Sequence, residues 1–282
     1  MIDRGDGEEP KQPGAEPGEA EARDPERRAA EPRATGPRTA EPRAAEPRAV
    51  EPRAAEPRAV EDPFLTRRLA MVRDLQASGA RDPEVLAALG RVPRERFVPP
   101  ALVNHAYDDS ALGIGRGQTI SQPYIVARMT ELLDLAGSRR RESSRPPRAL
   151  DVGTGSGYQA AIMAAMGVLV VSIERDRELS DAAADRLVAT GFGEQVLCVV
   201  GDGSEGWPPG APYDAIVVAA AAPQVPEPLV AQLADDGRLV IPVGTRDFQV
   251  LHVVTRVGTR LEEQSFDPCM FVPLLGRYGF PG

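Results

Sequence analysis

The chain is poor in the residues that build metal centres and disulfide frameworks. Its 282 residues include two cysteines, Cys198 and Cys269, and two histidines, His105 and His252. Neither pair has the spacing of a metal site, and two cysteines are too few for a disulfide framework. Cys198 lies in an apolar, strand-like run and is interpreted as a small core residue. We therefore expect no metal cofactor.

Long apolar runs and a surplus of positive charge are also missing. No stretch is long enough to cross a bilayer, and the first residues are acidic and proline-rich, unlike a signal peptide. The net charge of -9 gives no support to nucleic-acid binding. The expectation is a soluble, cytoplasmic, monomeric protein with neither a nucleic acid nor a membrane as partner.

Residues 1–62 contain almost no apolar residue other than alanine. From Glu31 onward the pentapeptide Glu-Pro-Arg-Ala-x recurs, at positions 41, 46, 51 and 56. Proline at this frequency interrupts helices and strands, and the segment has little to bury. It is predicted to be a disordered tail, either a solvated spacer or an interaction arm. Residues 63–282 are then the folded domain.

Beyond the tail, apolar runs alternate with helical segments. Such alternation specifies a mostly parallel sheet with helices on both faces, and the last two runs read as closing antiparallel strands. The sequence therefore predicts an α/β, Rossmann-like, doubly wound fold with seven strands. The predicted strands are 148–151, 168–173, 195–200, 213–220, 237–244, 249–257 and 261–273.

Residues 63–136 precede this sheet, which occupies 148–282, and are predicted to form a helical cap with a substrate loop. Apolar residues recur at helical spacing over 63–78, and Asp82 and Pro83 provide an N-cap and first-turn proline for a helix over 84–89. A further helix is predicted over 125–135. The cap is expected to lie over the carboxyl edge of the sheet, where ligands bind. The Arg-rich stretch 138–147 is interpreted as a surface insertion.

A Gly-x-Gly-x-Gly turn follows the first predicted strand. Gly153 and Gly155 lie in a turn that starts at Asp151, and the second strand ends in Glu174, where nucleoside-binding folds place the acid for ribose hydroxyls. Such a turn can also serve only to pack a helix on a strand. Asp151 would repel the pyrophosphate of a nicotinamide cofactor but suits the cationic amino-acid group of S-adenosylmethionine, which has no phosphate. The electrostatics therefore favour S-adenosylmethionine.

Two further polar positions allow more than one interpretation. Ser121 precedes a proline-started helix, so it can be a helix cap, but a hydroxyl beside a free helix start is also suited to bind a carboxylate. Asp202 follows the third strand, where it can hold an adenine amino group or simply form an Asp-Gly turn.

With these segments placed, residues 64–282 resemble the protein-L-isoaspartate O-methyltransferases, a class I S-adenosylmethionine-dependent family. The resemblance implies repair: the free α-carboxylate of an L-isoaspartyl residue is methylated, the ester loses methanol as a succinimide forms, and the succinimide opens in part to aspartate. Isoaspartyl-containing proteins and peptides are the implied partners. The motifs that carry the resemblance are 117–123, 150–159, Glu174-Arg175, 201–203, Asp214, 221–223 and 271–274.

The resemblance also implies roles for individual residues. Ser121 is the implied catalytic residue, hydrogen-bonded to the acceptor carboxylate. Gln249 and the segment 271–275 are expected to close over the cofactor. The implied cofactor-binding residues are Asp151 with Gly153 and Gly155 at the methionine end, Glu174 at the ribose, Asp202 with Gly203 at the adenine, and Gln249. The implied substrate-binding residues are Thr119, Ile120, Ser121 and Gln122.

Three rival functions are open at this point. The nearest is a methyltransferase for another acceptor, a small molecule or a nucleic acid. Nucleic-acid enzymes that methylate an amine carry a polar-Pro-Pro-aromatic turn after the fourth strand, whereas residues 219–223 read Ala-Ala-Ala-Ala-Pro. A nicotinamide-dependent oxidoreductase is disfavoured by Asp151 and by the short glycine spacing. A binding protein that keeps the cofactor pocket without turnover is the third.

Overall fold

The structure is a computed structural model that describes residues 62–135 and 145–282. The predicted tail, apart from Asp62, lies outside these ranges, as does the segment 138–144 of the predicted surface insertion. Both remain predictions.

The predicted helical cap begins with α1 (Leu65–Ala77) and α2 (Pro83–Arg91). The Asp82 side chain caps α2 by accepting hydrogen bonds from the backbone N–H groups of Glu84 and Val85, at 2.8 and 3.3 Å. Short 3-10 turns follow at Arg94–Arg96 and Pro100–His105. The helix α3 (Pro123–Leu132) ends this part of the chain. The helices expected over residues 63–135 are therefore present.

Between these turns and α3 lies a hairpin that the sequence did not reveal. Strands β1 (Leu112–Gly115) and β2 (Gln118–Ile120) pair antiparallel, with Leu112 opposite Ile120. Three consecutive residues at its tip have left-handed backbones: Gly115 (φ 95°), Arg116 (φ 53°) and Gly117 (φ 72°). Glycine adopts this conformation freely, but at Arg116 it costs roughly 1–2 kcal/mol.

The central sheet has the order β5-β4-β3-β6-β7-β8-β9. Its strands are β3 (Arg148–Val152), β4 (Leu169–Glu174), β5 (Val196–Val200), β6 (Tyr213–Val218), β7 (Leu233–Gly244), β8 (Gln249–Val257) and β9 (Arg260–Cys269). Neighbours from β5 to β7 are parallel, and β8 and β9 are antiparallel. The predicted seven-stranded, mostly parallel sheet is confirmed. Strand order reverses between β3 and β6, which is where doubly wound sheets bind ligands.

Three helices connect these strands: α4 (Tyr158–Ala165), α5 (Arg177–Ala189) and α6 (Glu227–Ala231). Alternate strand residues pack on opposite faces of the sheet. Ala149 joins a core with apolar residues of α1 to α5, whereas Leu150 joins a second core with Leu229 of α6 and Leu274. Helices therefore cover both faces, as expected, but within the described ranges only α6 covers the second one.

Candidate functional site

A cavity of about 460 Å³ opens at the carboxyl edge of the sheet, at the switch in strand order. Two of its walls come from segments far apart in sequence. The hairpin wall is Thr119–Ser121, and the glycine wall is Val152–Ser156 together with Glu174. The C-terminal residues Val272–Leu275 line a further side. A cavity of this size at this position in an α/β fold is the expected ligand site.

The three glycines of the motif do two different jobs. All have left-handed backbones, with φ of 93° at Gly153, 51° at Gly155 and 90° at Gly157. Gly153 and Gly155 line the cavity. Gly157 is buried, and a Cβ added there would lie 3.4 Å from both Ala183 and Leu187 of α5. The first two glycines therefore leave backbone accessible to a ligand, whereas the third lets α4 and α5 pack closely.

Glu174 lines the cavity with a carboxylate that the backbone holds in place. Its Oε2 accepts the Gly155 N–H at 3.0 Å, and its Oε1 accepts the Asp176 N–H at 3.2 Å. The residue is 8% exposed. A carboxylate has about four acceptor positions, so both oxygens can accept further hydrogen bonds from a ligand.

Asp151 lies fully buried behind the glycine wall and does not itself line the cavity. Its Oδ2 accepts the Ser172 hydroxyl at 2.8 Å, and that hydroxyl oxygen also lies 2.7 Å from Thr154 Oγ1. When Asp151 is ionised, Ser172 gives its one proton to Asp151, so that Thr154 donates to Ser172. Among the described residues nothing bonds to Oδ1. Burial raises the pKa of Asp151 from 3.8 to about 7.

Asp202 also lies outside the cavity lining, although its neighbour Gly203 is part of it. Asp202 Oδ1 accepts the Ser204 N–H at 2.9 Å, and Oδ2 accepts the Arg277 N–H at 2.7 Å. The structure therefore places this carboxylate where it holds the C-terminal segment over the sheet edge.

Gln249 is fully buried and supports the same C-terminal segment from the other side. Its amide nitrogen donates to the carbonyls of Thr245 and Arg246, at 2.7 and 3.0 Å, and its Oε1 accepts the Phe271 N–H at 2.8 Å. It is absent from the cavity lining. Its position is that of a support for the lining residues that follow Phe271, rather than of a direct ligand contact.

In the hairpin wall, Thr119, Ile120 and Ser121 line the cavity, and Gln122 does not. The Gln122 side chain instead donates to Asp109 Oδ2 at 2.8 Å. No side chain caps α3, so Ser121 does not act as the helix cap. Within the described residues the only side chain bonded to Ser121 is that of Arg94, at the carbonyl, so the Ser121 hydroxyl has no hydrogen-bond partner and is available to a ligand.

Arg94 was not found by the sequence analysis, yet it lies directly behind the hairpin wall. Its guanidinium is fully buried and lies 4.7 Å from the centroid of the Tyr158 ring. Its Nε donates to the Ala106 carbonyl and its Nη2 to the Ser121 carbonyl, both at 2.7 Å. Burial lowers its pKa from the ordinary value. An arginine in a turn between prolines is normally expected to be exposed, so nothing in the sequence indicates that Arg94 is buried.

Arg116, at the tip of the hairpin, connects the two sides of the cavity. It lines the cavity and forms ion pairs with Asp176 and, at 2.8 Å, with Glu178. Both acidic residues belong to the start of α5, so the hairpin tip is tied to the far side of the opening.

The described ranges hold neither a cluster of metal ligands nor a membrane-spanning helix. Residues 62–135 and 145–282 contain no group of three or more His, Cys, Asp or Glu residues arranged to hold a metal ion. None of their helices has both the length and the apolar character needed to cross a membrane.

Comparison with known proteins gives consistent results. Residues 66–279 match the sequence profile of the protein-L-isoaspartate(D-aspartate) O-methyltransferases. A protein-L-isoaspartate O-methyltransferase from Methanoregula boonei is 48% identical over 214 residues, or 76% of this chain and 94% of that protein. One from Aeropyrum pernix is 46% identical over 224 residues, or 78% of this chain and 83% of that protein.

Solved structures agree with these relatives. A protein-L-isoaspartate O-methyltransferase superimposes with a TM-score of 0.66 at 28% identity, covering 75% of this chain and 67% of that one. A Plasmodium falciparum protein assigned to the same activity, in complex with S-adenosyl-L-homocysteine, gives a TM-score of 0.64 at 25% identity, covering 74% and 98%.

Proposed function

This chain belongs to the protein-L-isoaspartate(D-aspartate) O-methyltransferase family, and we propose how its cavity residues share the work of the reaction. The enzyme transfers a methyl group from S-adenosylmethionine to the free α-carboxylate of L-isoaspartyl residues in damaged proteins. The amide nitrogen of the next residue then attacks the ester carbonyl, methanol leaves, and a succinimide forms. Water opens part of this succinimide to aspartate. The supporting observation is that the glycine wall and the hairpin wall meet at one cavity.

The polar groups and the exposed backbone of the glycine wall fit S-adenosylmethionine. When bound, this cofactor supplies a methyl group on a positively charged sulfur. Glu174 would accept the ribose hydroxyls, and Gly153 and Gly155 would let the methionine end approach the backbone. Asp151 lies behind this wall, and from there its unpaired oxygen would favour the cationic amino group, because a buried carboxylate oxygen is costly to leave without a partner. Asp202 and Gly203 would define the adenine end.

The acceptor needs no general base. A carboxylate with a pKa near 4 is ionised at pH 7 and is its own nucleophile. We propose that the free hydroxyl of Ser121 donates to one acceptor oxygen and orients the other, with Thr119, Ile120 and Gln122 shaping the segment. Ile120 and Leu274 are buried in the lining and help to exclude water. The rate enhancement would then come from alignment in a dry site.

The activity is tested with paired peptides that differ only in aspartate versus isoaspartate. Labelled S-adenosylmethionine should transfer base-labile label to the isoaspartyl peptide alone. Equal labelling of both peptides would exclude the repair function. Label on a nucleic acid or a small molecule, with none on either peptide, would instead support a methyltransferase for another acceptor.

Three broader proposals follow from the sequence. We propose that residues 1–62 are a spacer, that the protein is a monomer, and that it works in the cytoplasm on isoaspartyl proteins. A chain starting at Asp62 should keep full activity, and light scattering should give the mass of one chain. Loss of folding without the tail would refute the spacer, and a dimer mass would refute the monomer.

A further inference from the structure

Arg94 is a fully buried cation that contacts no carboxylate among the residues that the structure describes. Within the described ranges its two hydrogen bonds go to neutral carbonyls, its guanidinium lies over the Tyr158 ring, and its Nη1 is buried without a hydrogen-bond partner. A buried charge that is not paired is costly, and native proteins seldom keep one without a purpose.

The charges around Arg94 are already engaged elsewhere. Asp109 is the nearby carboxylate whose charge acts on Arg94, and it accepts the Gln122 side chain and the Tyr124 N–H, both at 2.8 Å. Glu95, the next residue along the chain, bonds to Arg68 at 3.1 Å and to Tyr107. The positive charge of Arg94 is therefore not neutralised by direct contact.

Arg94 does not line the cavity, but it contacts two residues that do. It holds the carbonyl of Ser121 and stacks on Tyr158, and both of these residues line the cavity. The attraction between two unit charges that are separated by one layer of side chains is stronger through protein than through water, because protein has the lower dielectric constant. A carboxylate held by Ser121 would lie within the field of this cation.

We propose that Arg94 is a positioning residue for the acceptor: it fixes the backbone of Ser121 from behind and supplies the unneutralised positive charge that favours an anionic over a neutral acceptor. This inference rests on the proposed function, in which a carboxylate binds beside Ser121. It adds a source of acceptor selectivity that acts through the hairpin wall.

The test measures binding without turnover. With S-adenosylhomocysteine at saturation, calorimetry gives the dissociation constants of an isoaspartyl peptide and of its isoasparaginyl analogue, in which the α-carboxylate is a neutral carboxamide of the same shape. The wild type should prefer the carboxylate by about 10-fold or more. Arg94→Gln should reduce this preference to about 2-fold, and Arg94→Lys, which keeps the charge, should retain most of it.

The outcomes separate this inference from the function itself. A wild type that binds neither peptide would refute the proposed function. A wild type that prefers the carboxylate, with an unchanged preference in Arg94→Gln, would refute only the role of Arg94. If Arg94→Gln does not fold, Arg94→Lys decides. A lysine cannot hold both carbonyls as the fork of a guanidinium does, so the dissociation constant of the isoaspartyl peptide should rise several-fold at unchanged S-adenosylhomocysteine affinity. An unchanged dissociation constant overturns the proposal.

Discussion

The two walls of the cavity are built in different ways. The glycine wall is mostly backbone: left-handed glycines, an amide held by Glu174, and the buried Asp151 behind them. The hairpin wall presents side chains at the end of the three-residue strand β2. Arg94 holds this segment from behind by its hydrogen bond to the Ser121 carbonyl. Substitutions in the first should change cofactor affinity, whereas substitutions in the second should change turnover at constant cofactor affinity.

The largest expected effect concerns Asp151 and the stability of the glycine wall. The unfolded pKa is 3.8 and the folded pKa about 7, so between these values only the folded state keeps the proton. The stability from this carboxyl is complete below pH 3.8 and is lost, at about 1.4 kcal/mol per pH unit, as the pH rises to about 7. Asp151→Asn should remove this slope. Urea unfolding of both cofactor-free proteins at pH 5 to 8 measures it, and parallel curves would contradict it.

Glu174→Ala should weaken S-adenosylhomocysteine binding by roughly 1–3 kcal/mol, because it removes an acceptor for the ribose and releases the Gly155 N–H. Glu174→Gln, which keeps an acceptor oxygen, should lose less. Calorimetry measures both affinities. Unchanged binding in Glu174→Ala would remove this residue from the cofactor site.

Gln249 tests whether a residue outside both walls supports the cavity. Gln249→Ala leaves two carbonyls and the Phe271 N–H without their partner, so the free energy of unfolding should fall by about 1–3 kcal/mol. Gln264, exposed on β9, provides a matched control whose alanine variant should stay within about 0.5 kcal/mol of the wild type. Equal losses in both variants would contradict the supporting role.

Ser121→Ala should cause the smallest change in free energy of these variants, and it should distinguish the two walls most clearly. Turnover should fall by about 10-fold, the value of one hydrogen bond, while cofactor affinity and stability stay constant because Ser121 caps no helix. The exposed Ser110 is the control, and Ser110→Ala should leave turnover unchanged. A loss of cofactor affinity with normal turnover would return Ser121 to a structural role.

Most of the sheet and the glycine wall could be predicted from the sequence because their signals are local. Strand β8 has the predicted bounds, and Gly153, Gly155 and Glu174 lie at the cavity. Strand β9 ends at Cys269 rather than at residue 273, and the residues beyond it cross the sheet edge, where Leu274 N–H donates to the Ala221 carbonyl at 2.7 Å. An extended run pairs as a strand only where a partner strand lies beside it.

The hairpin wall was harder to predict because its structure depends on distant contacts. Strands of four and three residues are too short to show an alternating pattern, and the glycines at their tip read as loop signals. The burial of Arg94 depends on carbonyls of Ala106 and Ser121, which no local pattern brings to it. The cofactor-binding role that the resemblance implies for Gln249 stays a prediction: its buried side chain bonds to backbone groups, and no local pattern shows which way a side chain faces.

Two opposing effects meet at Arg116, at the tip of the hairpin. Its ion pairs hold the tip in place and are weakened by salt, whereas its backbone strain is not affected by salt. The ion pairs of Arg116 with Asp176 and Glu178 are at the surface, where the screening length shortens from about 8 Å at 0.15 M to about 3 Å at 1 M salt. The left-handed backbone of Arg116 is a steric strain, which salt does not screen. High salt should therefore weaken the ion pairs that hold this side of the cavity and increase the release rate of S-adenosylhomocysteine. A release rate that does not change with salt would disprove this. The rate of product exchange would then be set by the ionic surroundings, through three residues that take no part in methyl transfer.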